Sequence, residues 1–300
     1  MPRRAAIARD ISYAGSAGTR PGRAMVRLME NATGRLRLIR MAEGYEAEVA
    51  AGADFWDVMC RRYGVGLEVV GGSLDAIPAE GPLVVVANHP YGILDGLSMG
   101  RILSWRRGGD FRVLAHKVFT KAADLQRVVL PVDFDPTPEA AAHNVRTRAE
   151  ALRYLASGGA IGIFPGGTVS TAAKPFDLPL DPGWRGFTAK MVARSEAAVV
   201  PVFFEGHNSR LFQIASHLHY TLRLGLMIHE FKARVGTTVR VVVGEPIARD
   251  RLDALKGDSR AMMEFLRAAT YGLSPRPLAA HRLGREFEAK HRPKEAARTT

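Results

Sequence analysis

Along most of the chain, short β-branched apolar runs alternate with longer stretches of helical periodicity. Runs at 67–70, 83–87, 112–115, 128–132, 160–164, 199–204 and 239–243 read as strands. The second, LVVVA, has no polar alternation at all, which marks a strand buried on both faces. Helical spacing predicts helices at 94–105, 117–126, 138–156, 187–195, 209–233 and 259–269. Strands and helices in turn predict an α/β domain: a mostly parallel central sheet flanked by helices, with its site at the carboxyl ends of the strands.

An N-terminal helical segment precedes this domain. Met25, Val26, Leu28, Met29, Ala32, Leu36, Ile39 and Met41 recur at roughly helical spacing over 23–41, with Arg23, Arg27, Arg35, Arg37 and Arg40 among them and Gly34 weakening the pattern. Residues 45–62 read as a second helix with Phe55, Trp56, Val58 and Met59 on its apolar side. The first helix has two readings, an interfacial helix whose Arg side chains meet anionic headgroups, or an ordinary helix packed on the domain. The expected organisation is a disordered basic arm at 1–20, helices open to membrane-surface contact at 21–64, the α/β domain at 65–273, and a basic mobile tail at 274–300.

Composition narrows this picture. Three hundred residues, 47% hydrophobic and 24% charged, suffice for one large domain or two small ones, and no apolar run approaches the length of a membrane span. The start, MPRRAAIARD, has the charge of a signal sequence without its apolar region, so no export signal is expected and a cytoplasmic location follows. Cys60, the only cysteine, excludes internal disulfides and multi-thiolate metal sites, and its neighbours place it on a helix face as a buried thiol.

The net charge of +12 sits at the ends. Residues 1–41 hold nine Arg against Asp10 and Glu30, and residues 276–300 hold seven Lys or Arg against three Glu. Basic flanks suit a membrane surface, an acidic carrier protein or nucleic acid. The N-terminal arm offers only Tyr13 for stacking on bases, so nucleic acid is not expected.

The chemistry gathers directly after the second strand, where residues 82–96 read PLVVVANHPYGILDG. His89 and Asp95 leave the end of a buried strand within one tight loop, an imidazole and a carboxylate in reach of each other, which is a base and its orienter. Close His and Asp also arise by chance, and His89 alone reads by default as a structural turn histidine. Other motifs decide.

The pattern resembles the lysophospholipid (glycerolipid) acyltransferase family, whose first motif is a His and an Asp on a turn after a strand. The usual pair is separated by four residues; here five intervene, a form similar to the branch containing hemolysin-like and ornithine-lipid O-acyltransferases. Residues 160–170, AIGIFPGGTVS, resemble the third family motif, F-P-E-G-T-R-S, at Phe164, Pro165, Gly167, Thr168 and Ser170, with Gly166 in place of Glu and Val169 in place of Arg. Residues 199–210, VVPVFFEGHNSR, resemble the fourth at Val200, Pro201 and Val202. The region of the second motif, around 128–133, carries Asp133 where a basic residue is expected.

The resemblance implies an acyltransferase-like fold over roughly 65–247 and transfer of a fatty acyl group from acyl carrier protein or coenzyme A to the hydroxyl of a lysolipid. His89 would be the general base and Asp95 its orienter. Backbone amides around Gly166, Gly167 and Thr168 would bind an oxyanion or headgroup, and Arg185 and Arg210 would contact the headgroup. Glu205, His207 and Asn208 either line the site or cap the following helix. The missing Glu and Arg at positions 166 and 169 disfavour lysophosphatidic acid and point to a lyso-aminolipid such as lyso-ornithine lipid. No bound cofactor and no metal are implied, and the enzyme would lie peripherally on the inner membrane.

Three alternatives stay open: a lysophosphatidic acid acyltransferase, a serine esterase or lipase, and a non-catalytic basic membrane-binding module. The esterase reading rests on Gly96, Ser98 and Gly100, which satisfy G-x-S-x-G; that elbow needs Ser at the immediate end of a strand, whereas Ser98 lies well past Ala87. His217 and His219 suggest a metal pair, but two residues apart on a helix they face different directions.

Overall fold

In the computed structural model, the structure describes residues 12–121, 123–133 and 137–287. Seven strands form one sheet: β1 (Gly66–Gly71), β2 (Leu83–Ala87), β3 (Phe111–His116), β4 (Val129–Val132), β5 (Ala160–Ile163), β8 (Ala198–Phe204) and β9 (Thr238–Val243). Their order is β1-β9-β8-β2-β5-β3-β4. Every neighbouring pair is parallel except β8 and β9, so β1 and β9 run against the other five. A two-stranded ribbon of β6 (Thr171–Ala172) and β7 (Pro179–Leu180) stands apart from the sheet.

β2 lies at the centre between β8 and β5, and all five of its residues are buried. The unbroken apolar run is thus accounted for: Leu83, Val85 and Ala87 face one core and Val84 and Val86 the other. Because β8, β2 and β5 are parallel, the chain leaves all three at one edge, where the residues after Ala87, Ile163 and Phe204 meet. Asn88 ties this edge together, donating from Nδ2 to the Phe204 carbonyl at 2.9 Å and accepting from the Phe204 amide at 2.7 Å.

Several elements differ from the sequence expectation. The first amphipathic stretch forms two helices, Arg20–Thr33 and Arg35–Ala42, broken at Gly34, whose φ of 135° suits only glycine. Its inner face packs, with Val26, Glu30 and Leu38 buried, while Met25, Leu28 and Leu36 remain exposed. Residues expected as a disordered arm are ordered from Ser12 onward: Tyr13, Ala14 and Ala17 are buried, and the Glu30 carboxylate accepts from Ser12 Oγ at 2.6 Å and from the Tyr13 amide at 2.7 Å. Residues 1–11 lie outside the described residues.

The 117–126 helix is instead a 3-10 turn, Lys117–Lys121, followed by the short helix Ala123–Gln126. The 209–233 helix is two, Arg210–Leu218 and Tyr220–Ala233. The break is at His219, whose extended backbone and side chain cap the second helix, Nδ1 accepting from the Thr221 amide at 3.1 Å. The basic tail is packed as far as it is described: the Gly284 amide donates to the Asp181 carbonyl at 2.8 Å and the Arg285 amide to the Thr171 carbonyl at 2.9 Å.

Gly100 explains a close approach in the apolar core. It lies within the Ile93–Arg107 helix, and a Cβ there would stand 2.3 Å from the indole of Trp56, so only glycine lets this helix settle on the ring. Among the described residues, no helix is long and apolar enough to cross a membrane.

Candidate active site

Asp95 is not in the loop after β2 but in the first turn of the Ile93–Arg107 helix, where it caps that helix. Its Oδ2 accepts from the amides of Tyr91 at 2.7 Å and Gly92 at 2.9 Å, and stands 3.0 Å from His89 Nδ1. Gly92 makes the turn possible: φ is 83°, and a Cβ would meet Met227 at 2.6 Å and Val169 at 3.0 Å. The carboxylate is fully buried, whereas the imidazole is 17% exposed. Burial pushes the Asp95 carboxyl above its ordinary range, opposed by His89 and by the two amides. A carboxylate against Nδ1 favours the tautomer with the proton on Nδ1 and leaves Nε2 as the nitrogen with a free lone pair.

The imidazole stacks on Phe164, the first residue after β5, with ring centroids 4.2 Å apart and planes 23° from parallel. The third-motif loop follows. Gly167 has φ of 68°, and its amide closes the turn on the Phe164 carbonyl at 3.0 Å. Of the amides expected to face an oxyanion, that one is committed within the loop. Gly166 is buried against another carboxylate: a Cβ there would lie 3.3 Å from Asp181 Cβ and Cγ.

Asp181 escaped the sequence reading. It is completely buried and accepts from the His89 amide at 3.2 Å, from Trp184 Nε1 at 2.9 Å and from Ser170 Oγ. The Ser170 amide in turn donates to the His89 carbonyl at 2.8 Å. One carboxylate therefore fixes the backbone of His89, the third-motif loop and a cavity-lining indole. The only local signal is the D-P-G-W turn at 181–184.

His89, Gly167 and Thr168 line a cavity of about 1830 Å³. One part is apolar, with Trp56, Met59, Leu97, Val113, Phe119 and Ile228 in its wall. Another part is cationic, with His217, Arg223 and Arg285. Arg185 lines the cavity too, but its guanidinium is held by Glu286 through a bidentate pair at 2.7 and 2.9 Å. Asp133 lines it while paired with Lys117 at 2.8 Å.

Arg210 is exposed, donates to the Asp177 carbonyl at 3.0 Å and is not part of the cavity wall; Glu205, His207 and Asn208 are outside it as well. Glu205 pairs with Arg240 at 2.9 Å. Ser98 lies in the interior of the Ile93–Arg107 helix, 1% exposed and not part of the cavity wall. Cys60 is buried, which pushes its thiol up to about 11. Among the described residues, no group of three or more His, Cys, Asp or Glu is placed to hold a metal.

Comparison with known proteins decides what this arrangement is part of. The chain matches the family described as Acyltransferase over residues 48–279. It belongs to the acyltransferase family. This acyltransferase is 23% identical over 236 residues to the lyso-glycine lipid O-acyltransferase of Phocaeicola vulgatus, covering 74% of this chain and 78% of that one. It is 22% identical over 242 residues to the lyso-glycine lipid O-acyltransferase of Bacteroides thetaiotaomicron, covering 76% and 82%. Among solved structures, the 1-acyl-sn-glycerophosphate (LPA) acyltransferase PlsC from Thermotoga maritima is similar at a TM-score of 0.46 and 15% identity, over 83% of this chain and 94% of that one.

Proposed function

We propose that this acyltransferase moves a fatty acyl group from a thioester, on acyl carrier protein or coenzyme A, to the hydroxyl of a lysolipid, and that the lysolipid carries an amino-acid headgroup rather than a terminal phosphate. The observation that carries the reading is the 3.0 Å contact of His89 with a buried carboxylate at the wall of a cavity with a large apolar part. His89 Nε2 takes the proton of the acceptor hydroxyl as its oxygen attacks the thioester carbonyl, and Asp95 stabilises the resulting imidazolium. The tetrahedral intermediate collapses with cleavage of the C–S bond, and the departing thiolate recovers the proton from His89. Amides of Gly166 and Thr168 are the candidates for holding the oxyanion. No acyl-enzyme forms.

Three observations favour the amino-acid headgroup. The third motif carries Gly166 and Val169 where the resembling family has Glu and Arg. Arg185, which could otherwise grip a phosphate, is neutralised by Glu286. The curated relatives described above are named for a lyso-glycine lipid. A peripheral position on the inner membrane is supported by the exposed Met25, Leu28 and Leu36 among the N-terminal arginines, and by Leu211, Ile214 and Leu218, which share one exposed helix face. The test is a competition assay offering lysophosphatidic acid and a lyso-aminolipid together with one acyl thioester. The aminolipid product should dominate; preference for lysophosphatidic acid refutes the acceptor assignment and leaves the transfer chemistry standing.

A further inference from the structure

Among the described residues, the cationic part of the cavity has no counter-charge paired with it. Arg223, on the Tyr220–Ala233 helix, is 3% exposed, and its guanidinium lies over the rings of Phe212, at 4.8 Å from the centroid, and Phe287, at 4.3 Å. Nη1 donates to Thr171 Oγ1 at 2.6 Å and Ser216 Oγ at 3.1 Å; Nη2 donates to Thr168 Oγ1 at 3.0 Å and the Val169 carbonyl at 2.9 Å. Every one of these acceptors is neutral. Arg285, beside it in the cavity wall, donates to His217 Nδ1, and His217 Nε2 lies 3.0 Å from the Ala172 carbonyl, the arrangement of a neutral imidazole protonated on Nε2. Burial lowers the pKa of His217 further.

Neither Arg223 nor Arg285 makes an ion pair among the described residues, although the wall's two carboxylates, Asp133 and Glu286, are engaged by Lys117 and Arg185. A buried guanidinium without an anion is costly, and here burial pulls its pKa down to about 10. The hydroxyls are unequal. Those of Thr171 and Ser216 donate to the carbonyls of Val169 and Phe212, whereas Thr168, accepting from Arg223, makes no such donation. Its proton remains for a ligand.

We propose that Thr168, Arg223 and Arg285 form an anion subsite that holds the charged oxygen group of the acceptor: the carboxylate of an amino-acid headgroup, if the reading above is right about the acceptor, or otherwise a phosphate. Thr168 and Arg285 make the contact, and Arg223 supplies the buried positive charge behind them. Val169 abuts Gly92 in the turn that carries the dyad, so the loop between Phe164 and Thr171 joins the base to the subsite. An acceptor held by its charged end is thereby set with its hydroxyl toward His89.

The test measures calorimetric binding to the full chain of three single-chain probes: N-dodecanoylglycine, its methyl ester and dodecyl phosphate. Wild type should bind the carboxylate at least about tenfold more tightly than the ester, as expected for a partly buried charge pair. Arg223→Gln should remove most of that gap while still binding the ester. Should Arg223→Gln fail to fold, Arg285→Gln carries the test, because Arg285 is only partly buried, and it should narrow the gap several-fold. Absence of a gap in wild type, or a gap unchanged in the variants, overturns the subsite. Tighter binding of dodecyl phosphate than of the carboxylate, with both weakened in the variants, leaves the subsite standing and refutes the amino-acid headgroup.

Discussion

The His89–Asp95 pair and the cationic part of the cavity are built in opposite ways. The dyad comes from one short stretch: β2 delivers His89, the next helix opens on Asp95, and Gly92 folds one onto the other. The cationic region gathers Thr168 from the loop after β5, Thr171 from β6, Ser216 and Arg223 from two helices, and Arg285 from the C-terminal segment. The first needs one local turn to be right, whereas the second needs the whole domain folded. Chemistry common to many acceptors can be carried by the compact part, and the choice of acceptor by the dispersed part, where each side chain can change separately.

The comparison breaks most sharply at the base. His89→Ala should lower acyl transfer by about a hundred- to ten-thousandfold, measured as thiol release, with the fold intact by circular dichroism; a well-folded variant with wild-type rates removes the dyad from the mechanism. Asp95→Asn should also abolish most transfer, yet melt no lower than wild type at pH 7. The sign follows from burial. A carboxyl whose folded pKa is raised binds its proton more tightly in the folded state, so its contribution to stability falls as pH rises through that value. Asn carries no such cost, and the difference between variant and wild type should shrink as pH drops below the unfolded carboxyl value of about 3.9. A strong loss of melting temperature in Asp95→Asn would mean that the carboxylate serves the fold more than the reaction.

Asp181→Asn sharpens the contrast, because this residue joins the compact part to the rest. Its carboxylate accepts from His89, Ser170 and Trp184, and an amide would turn one donor group against these donors. A loss of about 1–3 kcal/mol in stability is expected, with a several-fold drop in rate that a lower assay temperature partly restores. Full stability in the variant would show that the network tolerates the change. The smallest effect lies outside both parts. Leu28→Glu, at a side chain 66% exposed, should leave the melting temperature unchanged and weaken sedimentation with anionic vesicles more than with neutral ones. Equal weakening on both would assign this face to apolar contact alone.

This split also explains what could be read from the sequence. All seven expected strands are found, because buried strands announce themselves as unbroken or alternating apolar runs, and the dyad stood out because its members are neighbours in the chain. The helix break at His219 was hidden because the apolar periodicity continues through it while a side-chain cap interrupts the backbone. Reversal of β9, the pairing of Glu30 with Ser12 and Tyr13, and the packing of residues 278–287 depend on contacts across many residues and leave no periodic trace. Arg185 and Arg210 stand beside motifs in the sequence, but a side chain's partner decides whether its charge is available, and both have one. Arg223 did leave a trace, a single charge within the apolar run TLRLGLMI.

The seat of Trp56 on Gly100 bears on how such an enzyme can diversify. The indole forms part of the cavity wall, but the glycine beneath it does not, and even one methyl group at position 100 would have to displace the ring or the helix. The width of this part of the cavity is therefore set in part by a residue outside its wall. Under the function proposed above, a lineage could keep His89 and Asp95 and still shift the length of the fatty acids it transfers by drifting at one helical glycine.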